Sequence, residues 1–380
     1  MKTILHIIVG LEVGGAELML KRLVEGHRAD PRYRHAVISL TSIGEVGRQL
    51  QAGGVEVISL DMRSMLAAPL AFWRLYRHIR AARPDLVQTW MYHADLLGGL
   101  AARLAGVRNV VWGVRTTDVR AAGVSTTTVL RFACAHLSAW VPRIVVCAAD
   151  ASRRAHEALG YDARRMRVVP NGFDLAVLTP APDARARLRA EWGIGADTVV
   201  VGSLARFNPA KDHHNFIAAA GLLLAQWPHT RFLMIGRNIA ADNAQLVQWI
   251  AATGQPQRFI LVPQRRDVAD CLAAMDIFCL HSRTEGFPNV VGEAMSVGLP
   301  CVVTDVGDAA YLVGEASAVA APGDPVALAA ALAAMLAQPA PARARIGAAA
   351  RARIAADFTM AASIGRFEQL YEQIDRKDAA

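Results

Sequence analysis

The stretch Ile277-Phe278-Cys279-Leu280-His281-Ser282-Arg283-Thr284-Glu285-Gly286-Phe287-Pro288-Asn289-Val290-Val291-Gly292-Glu293-Ala294-Met295-Ser296-Val297-Gly298-Leu299-Pro300-Cys301-Val302-Val303 decides the fold. It opens on a short apolar run, crosses a polar loop, continues as a helix that Gly298 closes, and ends in a second apolar run. Pro288 suits the first turn of that helix, where a missing N–H costs nothing. Two short buried strands on either side of a helix make one parallel βαβ unit.

The alternation runs outward in both directions. Val199–Leu204, Phe232–Ile235, Phe259–Val262 and Ala318–Ala320 read as further strands of the second half. In the first half the strands are Thr3–Val9, Ala36–Leu40, Val55–Leu60, Leu86–Trp90, Val110–Val114 and Ile144–Cys147, with helical patterns such as Gly15–Arg28 and Leu70–Arg83 between them. Alternating strands and helices predict parallel sheets covered on both faces. Pro170-Asn171-Gly172-Phe173-Asp174 and Thr179-Pro180-Ala181-Pro182 interrupt the pattern. The expected architecture is therefore α/β, with two doubly wound domains at 1–175 and 176–360. A closing helix follows at 361–380, where Phe367, Leu370, Tyr371 and Ile374 form one apolar stripe.

Composition narrows the class. With 53% hydrophobic and 19% charged residues, the 380-residue chain has material for large cores and is not a disordered protein. Its five cysteines are scattered, without C-x-x-C or His-x₃₋₅-His spacing, which argues against a disulfide scaffold or structural zinc and fits a reducing, cytoplasmic setting. The apolar start, Met1 to Gly10, contains His6 and lacks a cleavage pattern, so a buried strand is favoured over a signal peptide. No run reaches the ~18 apolar residues of a membrane span; the best candidate, Val124 to Cys147, is broken by Arg131, His136, Pro142 and Arg143. A soluble or peripheral protein is expected.

Charge is uneven. Residues 1–180 carry 23 Lys+Arg against 14 Asp+Glu, and 181–380 carry 18 against 19, so the formal +8 belongs to the first half. Such a half suits an anionic ligand or an anionic membrane surface. No helix-turn-helix, zinc finger or aromatic-basic RNA signature accompanies it, so nucleic acid is not an expected partner.

Sites in open parallel sheets lie beyond the carboxyl ends of the strands. The first strand runs into Gly10-Leu11-Glu12-Val13-Gly14-Gly15-Ala16-Glu17, whose glycines permit close backbone approach to an anion at a helix start. The spacing is neither G-x-G-x-x-G nor a P-loop. In the second half, Arg206 and Lys211 follow the strand Val199–Leu204 on a loop bounded by Gly202 and Pro209; the pair suits a diphosphate, Arg206 as a two-pronged donor and Lys211 as a point charge. Glu285 follows the strand Ile277–Leu280 as an acceptor for sugar hydroxyls, the amides of Gly286, Phe287, Pro288 and Asn289 form an anion cradle, and Glu293 lies about a turn and a half into the helix.

Glu285 and Glu293 match the E-x₇-E motif of the retaining nucleotide-sugar glycosyltransferases of family four. The surrounding E-G-F-P-N-V-V-G-E-A-M and G-L-P-C-V-V-T-D-V-G resemble the donor site of that family. The resemblance extends to Gly14-Gly15-Ala16-Glu17, Trp90-Met91-Tyr92-His93-Ala94-Asp95, Pro170-Asn171-Gly172-Phe173-Asp174 and Arg206 with Lys211, in the family's order over nearly the whole chain. It implies a GT-B fold, with an acceptor domain and a donor domain facing an interdomain cleft and the terminal helix returning to the first domain. Arg206 and Lys211 would then bind the donor diphosphate, Glu293 the ribose, and Glu285 with the 286–289 amides the transferred sugar. Gly15 would give backbone access to the phosphates, and His93 would reach the sugar near its reacting face. The His281 to Asp308 stretch looks most like bacterial O-antigen and surface-polysaccharide transferases, which implies a UDP-sugar donor and a glycan or undecaprenyl-linked acceptor. Pro263 departs from the pattern, standing where glycine is expected.

The remaining features fit this reading. No Asp-x-Asp pair occurs, so neither a metal nor another cofactor is expected, the two cations replacing a divalent ion. His213-His214 reads as a polar helix start. In Leu70–Arg83, Arg74, Arg77 and Arg80 stand beside Phe72, Trp73 and Tyr76, a pattern open to core packing or to a bilayer surface. Two rival classes are a nucleotide-sugar epimerase of the same fold and a catalytically silent sugar-binding protein.

Overall fold

A computed structural model describes residues 1–117 and 126–376. The chain divides into two compact units, Met1–Asn171 joined by the segment from Met360, and Gly172–Thr359. These breaks compare with the expected boundaries at 175/176 and 360/361.

The first unit is built from β1 (Lys2–Ile8), α1 (Gly15–Gly26), β2 (Tyr33–Ser39), α2 (Gly44–Ala52), β3 (Glu56–Ser59), α3 (Ala68–Ala82), β4 (Leu86–Trp90), α4 (Tyr92–Leu104), β5 (Val110–Val114), α5 (Thr126–Leu137), β6 (Ile144–Cys147), α6 (Asp150–Ala158) and β7 (Met166–Val168). All strands pair in parallel, in the order β3-β2-β1-β4-β5-β6-β7. The second unit comprises α7 (Ala184–Glu191), β8 (Val199–Leu204), α8 (His213–Leu223), β9 (Thr230–Gly236), α9 (Ala244–Ala251), β10 (Phe259–Pro263), α10 (Val268–Ala273), β11 (Ile277–Leu280), α11 (Asn289–Val297), β12 (Cys301–Thr304), α12 (Ala309–Val313), β13 (Ala318–Ala320), α13 (Pro325–Leu336) and α14 (Ala340–Asp357). Its sheet is also parallel, in the order β10-β9-β8-β11-β12-β13.

Both orders reverse beside the unit's first strand, between β1 and β4 and between β8 and β11, which creates a topological switch point in each sheet. The strands are buried on both faces, as parallel sheets require, so they read as continuous apolar runs. Strand β7 is not among the expected strands, because Met166-Arg167-Val168 is short and carries a charge. The closing helix α15 (Met360–Arg376) packs in the first unit, where Phe367, Leu370, Tyr371 and Ile374 join the core of β1 and α1. Among the described residues no single helix is long and apolar enough to cross a bilayer; the apolar neighbours α13 and α14 are bent by 109° and bury Leu328, Leu332 and Ile354. The five cysteines are free and buried.

A polar chain crosses the first unit's core. Trp90 Nε1 donates to His6 Nδ1 at 3.2 Å, His6 Nε2 meets His35 Nδ1 at 2.9 Å, and His35 Nε2 meets His27 Nδ1 at 2.9 Å. His27 Nε2 then lies 3.3 Å from Glu368 Oε1 on α15. Because indole N–H is only a donor, the neutral chain has one arrangement: each ring carries its proton on Nε2 and accepts at Nδ1, so every donor points toward the Glu368 carboxylate. Burial depresses all three pKa values, that of His35 to about 3.

Candidate active site

In the second unit the loops that leave β8 and β11 meet at the switch point. Asn208 Oδ1 accepts from Ala210 N at 2.9 Å and caps a single 3₁₀ turn, Pro209–Lys211, which delivers Lys211; Asp212 then turns left-handed (φ 50°) to start α8. Lys211 Nζ lies 2.5 Å from Glu285 Oε1, so the expected diphosphate cation and sugar acceptor are in direct contact. The side chains are 22% and 11% exposed, so both are partly shielded from solvent. Ser282 Oγ donates to the same Glu285 oxygen at 2.6 Å.

Four further contacts tie the loop after β11 to β8 and its loop. Arg283 N donates to Ala210 O at 2.8 Å, and Arg283 Nε pairs with Asp212 Oδ2 at 2.8 Å. His281 Nδ1 is 2.5 Å from Lys211 O, and His281 Nε2 is 2.5 Å from Ser203 Oγ. A carbonyl only accepts, so Nδ1 carries the proton and Nε2 accepts from the serine. Burial holds the His281 pKa down to about 3, which keeps that tautomer neutral; burial likewise lowers His213 to about 4. These residues hold Lys211 in place, and their spacing in sequence gave no signal of it.

Glu285 is supported from β12 as well. Gly307 (φ 58°) lies against the Glu285 and Gly286 carbonyls, where any Cβ would collide, and Asp308 N donates to Gly286 O at 2.9 Å. Two expectations are corrected. Helix α11 begins at Asn289, with Pro288 as its N-cap. Proline has no N–H, so an anion cradle here draws on the amides of Gly286, Phe287 and Asn289 only. Gly202 lies inside β8 rather than bounding a phosphate loop, and its missing Cβ makes room for Met275. The Phe287 side chain is buried, stacked near Phe173 and Phe358, while Phe173 itself packs onto Gly292 of α11. Glu293 is half-buried on α11. Arg206 is exposed and, among the described residues, forms no hydrogen bond or ion pair. Pro263 ends β10 opposite Gly236 of β9.

In the first unit, the other switch point carries the glycine loop and His93. Gly14 is the extended N-cap of α1, and Gly15 is its first residue. Glu17 folds back over Gly14 into the space a Cβ would take, and burial raises its pKa. Across the switch point, Met91 holds an unusual φ of 73° before α4, and His93 follows two residues later, half-buried with its pKa lowered by burial. Its neighbours are fixed in the core. Tyr92 Oη donates to His156 Nε2 at 2.6 Å, and Asp95 Oδ1 accepts from Thr89 Oγ1 at 2.5 Å and Gly113 N at 3.2 Å. Burial raises Asp95 to about 8. The motif Trp90–Asp95 therefore anchors a strained turn that presents His93 at the sheet's carboxyl edge.

Comparison with known proteins places this arrangement. Two family models match, glycosyltransferase family 4 over residues 13–177 and group 1 glycosyl transferases over residues 184–353. The chain belongs to this glycosyltransferase family, and its paired Rossmann-like sheets are the GT-B fold. It is 26% identical over 249 residues to the UDP-Gal:alpha-D-GlcNAc-diphosphoundecaprenol alpha-1,3-galactosyltransferase of Escherichia coli, covering 65% of this chain and 62% of that protein, so the match spans less than two thirds of that relative. EpsF of Bacillus subtilis is 26% identical over 325 residues, 80% of this chain and 79% of EpsF. The crystal structure of Anabaena HepE in complex with UDP superposes with a TM-score of 0.84 at 23% identity, over 98% of this chain and 100% of HepE, and bears on the fold.

Proposed function

We propose that the chain is a retaining, metal-independent glycosyltransferase that moves a sugar from a UDP-sugar to a hydroxyl of a glycan or undecaprenyl-linked glycan during bacterial surface-polysaccharide synthesis, including O-antigen. The observation that carries this reading is the contact of Lys211 with Glu285 at the β8/β11 switch point. A cation for the diphosphate and a carboxylate for the sugar hydroxyls meet there, on loops tied together by His281, Arg283 and Asp212. UDP is favoured because the Escherichia coli relative is named for UDP-Gal and HepE was crystallised with UDP.

In this mechanism Arg206 and Lys211 take the charge of the departing diphosphate, with the amides of Gly286, Phe287 and Asn289 adding donors. Glu293 binds the ribose, Glu285 the sugar hydroxyls, Gly14 and Gly15 admit the phosphates to the backbone, and the neutral His93 ring hydrogen-bonds the sugar. The anomeric C–O bond to the diphosphate breaks as the acceptor oxygen bonds to the same face, and the acceptor proton passes to the leaving phosphate oxygen. The basic first unit would meet acceptors on the anionic cytoplasmic leaflet, for which exposed Leu70, Trp73, Arg74, Arg77 and Arg80 of α3 supply apolar and cationic contacts.

A thermal-shift screen over UDP-, GDP- and dTDP-sugars tests the donor, since a ligand that binds only the native state raises its stability. UDP-sugars should give the largest shift; a larger shift with GDP- or dTDP-sugars would reassign the base. Incubation with donor alone separates the rivals: an epimerase would form an isomeric nucleotide-sugar without releasing nucleotide, and a silent binding protein would leave donor and acceptor unchanged.

A further inference from the structure

Away from the switch point, the first unit holds a cavity of about 570 Å³ whose lining is dominated by Arg103, Arg108, Arg143, Arg164, Arg165 and Arg167. Its position follows from the topology. Arg108, Arg143 and Arg165 precede β5, β6 and β7 by one or two residues, and these strands are adjacent and parallel. Their amino ends lie side by side at a spacing of ~4.8 Å, which gathers the guanidinium groups at one edge of the sheet. Gly14, Gly15 and His93 follow the carboxyl ends of β1 and β4 and so lie at the opposite edge.

Among the described residues that line the cavity, six arginines accompany one carboxylate, Asp162, which is held by Arg164 through contacts at 3.0 and 3.1 Å and by Arg165 at 3.4 Å. Burial, together with the charges of Arg103, Arg108 and Arg165, lowers the pKa of Arg143. Backbone carbonyls orient several of these side chains: Arg103 donates to Arg108 O at 3.4 Å, Arg165 to Pro142 O, and Arg167 to Arg164 O at 3.0 Å. Each such bond uses a fraction of a guanidinium's five donors. Trp140, 76% exposed, forms part of the wall. A second hollow of about 440 Å³ continues along the same edge through Arg108 to Arg80 and Arg83.

We propose that this arginine-lined cavity is a second anion site of the chain, separate from the donor site, that takes a phosphate or diphosphate group. Guanidinium forks bind phosphate oxygens in pairs, and several on neighbouring strands surround a tetrahedral multiply charged group better than a single carboxylate. A bound anion would also relieve the mutual repulsion of the arginines. The exposed Trp140 ring offers a flat face to whatever carries the phosphate, a sugar or a lipid glycerol backbone. The inference does not depend on the glycosyltransferase reading.

The test compares the full-length protein with Arg108→Gln/Arg143→Gln, using pyrophosphate by calorimetry and co-sedimentation with neutral vesicles or vesicles containing phosphatidylglycerol. Because pyrophosphate can also enter the donor site, Lys211→Ala is titrated in parallel. Two classes of pyrophosphate site are expected, one weakened about fivefold in Lys211→Ala and the other weakened at least ~10-fold in the arginine variant, the scale of one lost charge-assisted contact. Loss of vesicle binding in the arginine variant, with unchanged pyrophosphate binding, would identify a lipid phosphate as the ligand; the reverse would identify a soluble one. Both outcomes support the site. Pyrophosphate and vesicle binding both unaffected by the arginine variant would overturn it.

Discussion

If Lys211 and Glu285 divide the donor between them, opposite effects on nucleotide affinity follow from charge. In the ligand-free chain Arg206, Lys211 and Glu285 together carry +1, and Glu285 sits 2.5 Å from the lysine nitrogen. Lys211→Ala lowers that charge to zero; Glu285→Gln raises it to +2. A unit charge ~4 Å from a phosphate oxygen is worth between about 1 and 4 kcal/mol from water-like to near-surface surroundings. The partial exposure of Lys211 argues for the lower end, about 1 kcal/mol or roughly fivefold in affinity. Calorimetry with UDP should thus find Glu285→Gln binding about fivefold tighter than the parent and Lys211→Ala about fivefold weaker. Transfer behaves differently: both variants should lose turnover, Lys211→Ala by at least ~10²-fold, about 2.7 kcal/mol of transition-state stabilisation. Weaker UDP binding in Glu285→Gln, or turnover within threefold of the parent in Lys211→Ala, would refute the division of roles.

Three other outcomes are expected. Excess EDTA should leave the rate unchanged, and inhibition reversed by Mg²⁺ or Mn²⁺ would show a metal requirement. Glu293→Gln should weaken UDP itself, as measured by calorimetry; unchanged UDP affinity with impaired transfer would move Glu293 from the ribose to the sugar. Acid should destabilise the first unit through His6, His27 and His35, whose folded pKa values lie below the unfolded value of about 6.5. The unfolded chain then binds more protons, so their stabilisation is complete above about pH 6.5 and is lost as pH falls toward about 3, at up to ~1.4 kcal/mol per pH unit for each histidine. Asp30, Arg32, Tyr33 and Glu368 surround the His27 end; the Glu368 carboxylate offsets part of that loss, because it favours the charged ring. Urea midpoints that stay level between pH 7 and pH 5 would contradict this account.

The sequence made the parallel sheets legible because strands buried on both faces are unbroken apolar runs, as at Val110–Val114 and Ile277–Leu280. It could not reveal β7, whose pairing with β6 rather than its composition makes it a strand. Chemistry-bearing residues stood out where they followed a strand end, as Lys211 and Glu285 do. Their contact spans 74 residues and exists only because β8 and β11 are neighbours, a fact of topology. His281, Ser203 and Gly307 escaped notice for a related reason: each acts on the backbone or side chain of a loop that lies near it only in the folded sheet. Pro288 and Gly202 were misplaced because a local residue preference was read without the neighbouring strand and helix.

The central claim, retaining transfer from a UDP-sugar, is tested most directly by proton NMR of the anomeric region while the protein acts on an α-linked UDP-sugar and an acceptor glycan. The account predicts an α-linked product appearing one-for-one with UDP. A β-linked product, or an isomerised UDP-sugar with no UDP released, would contradict it.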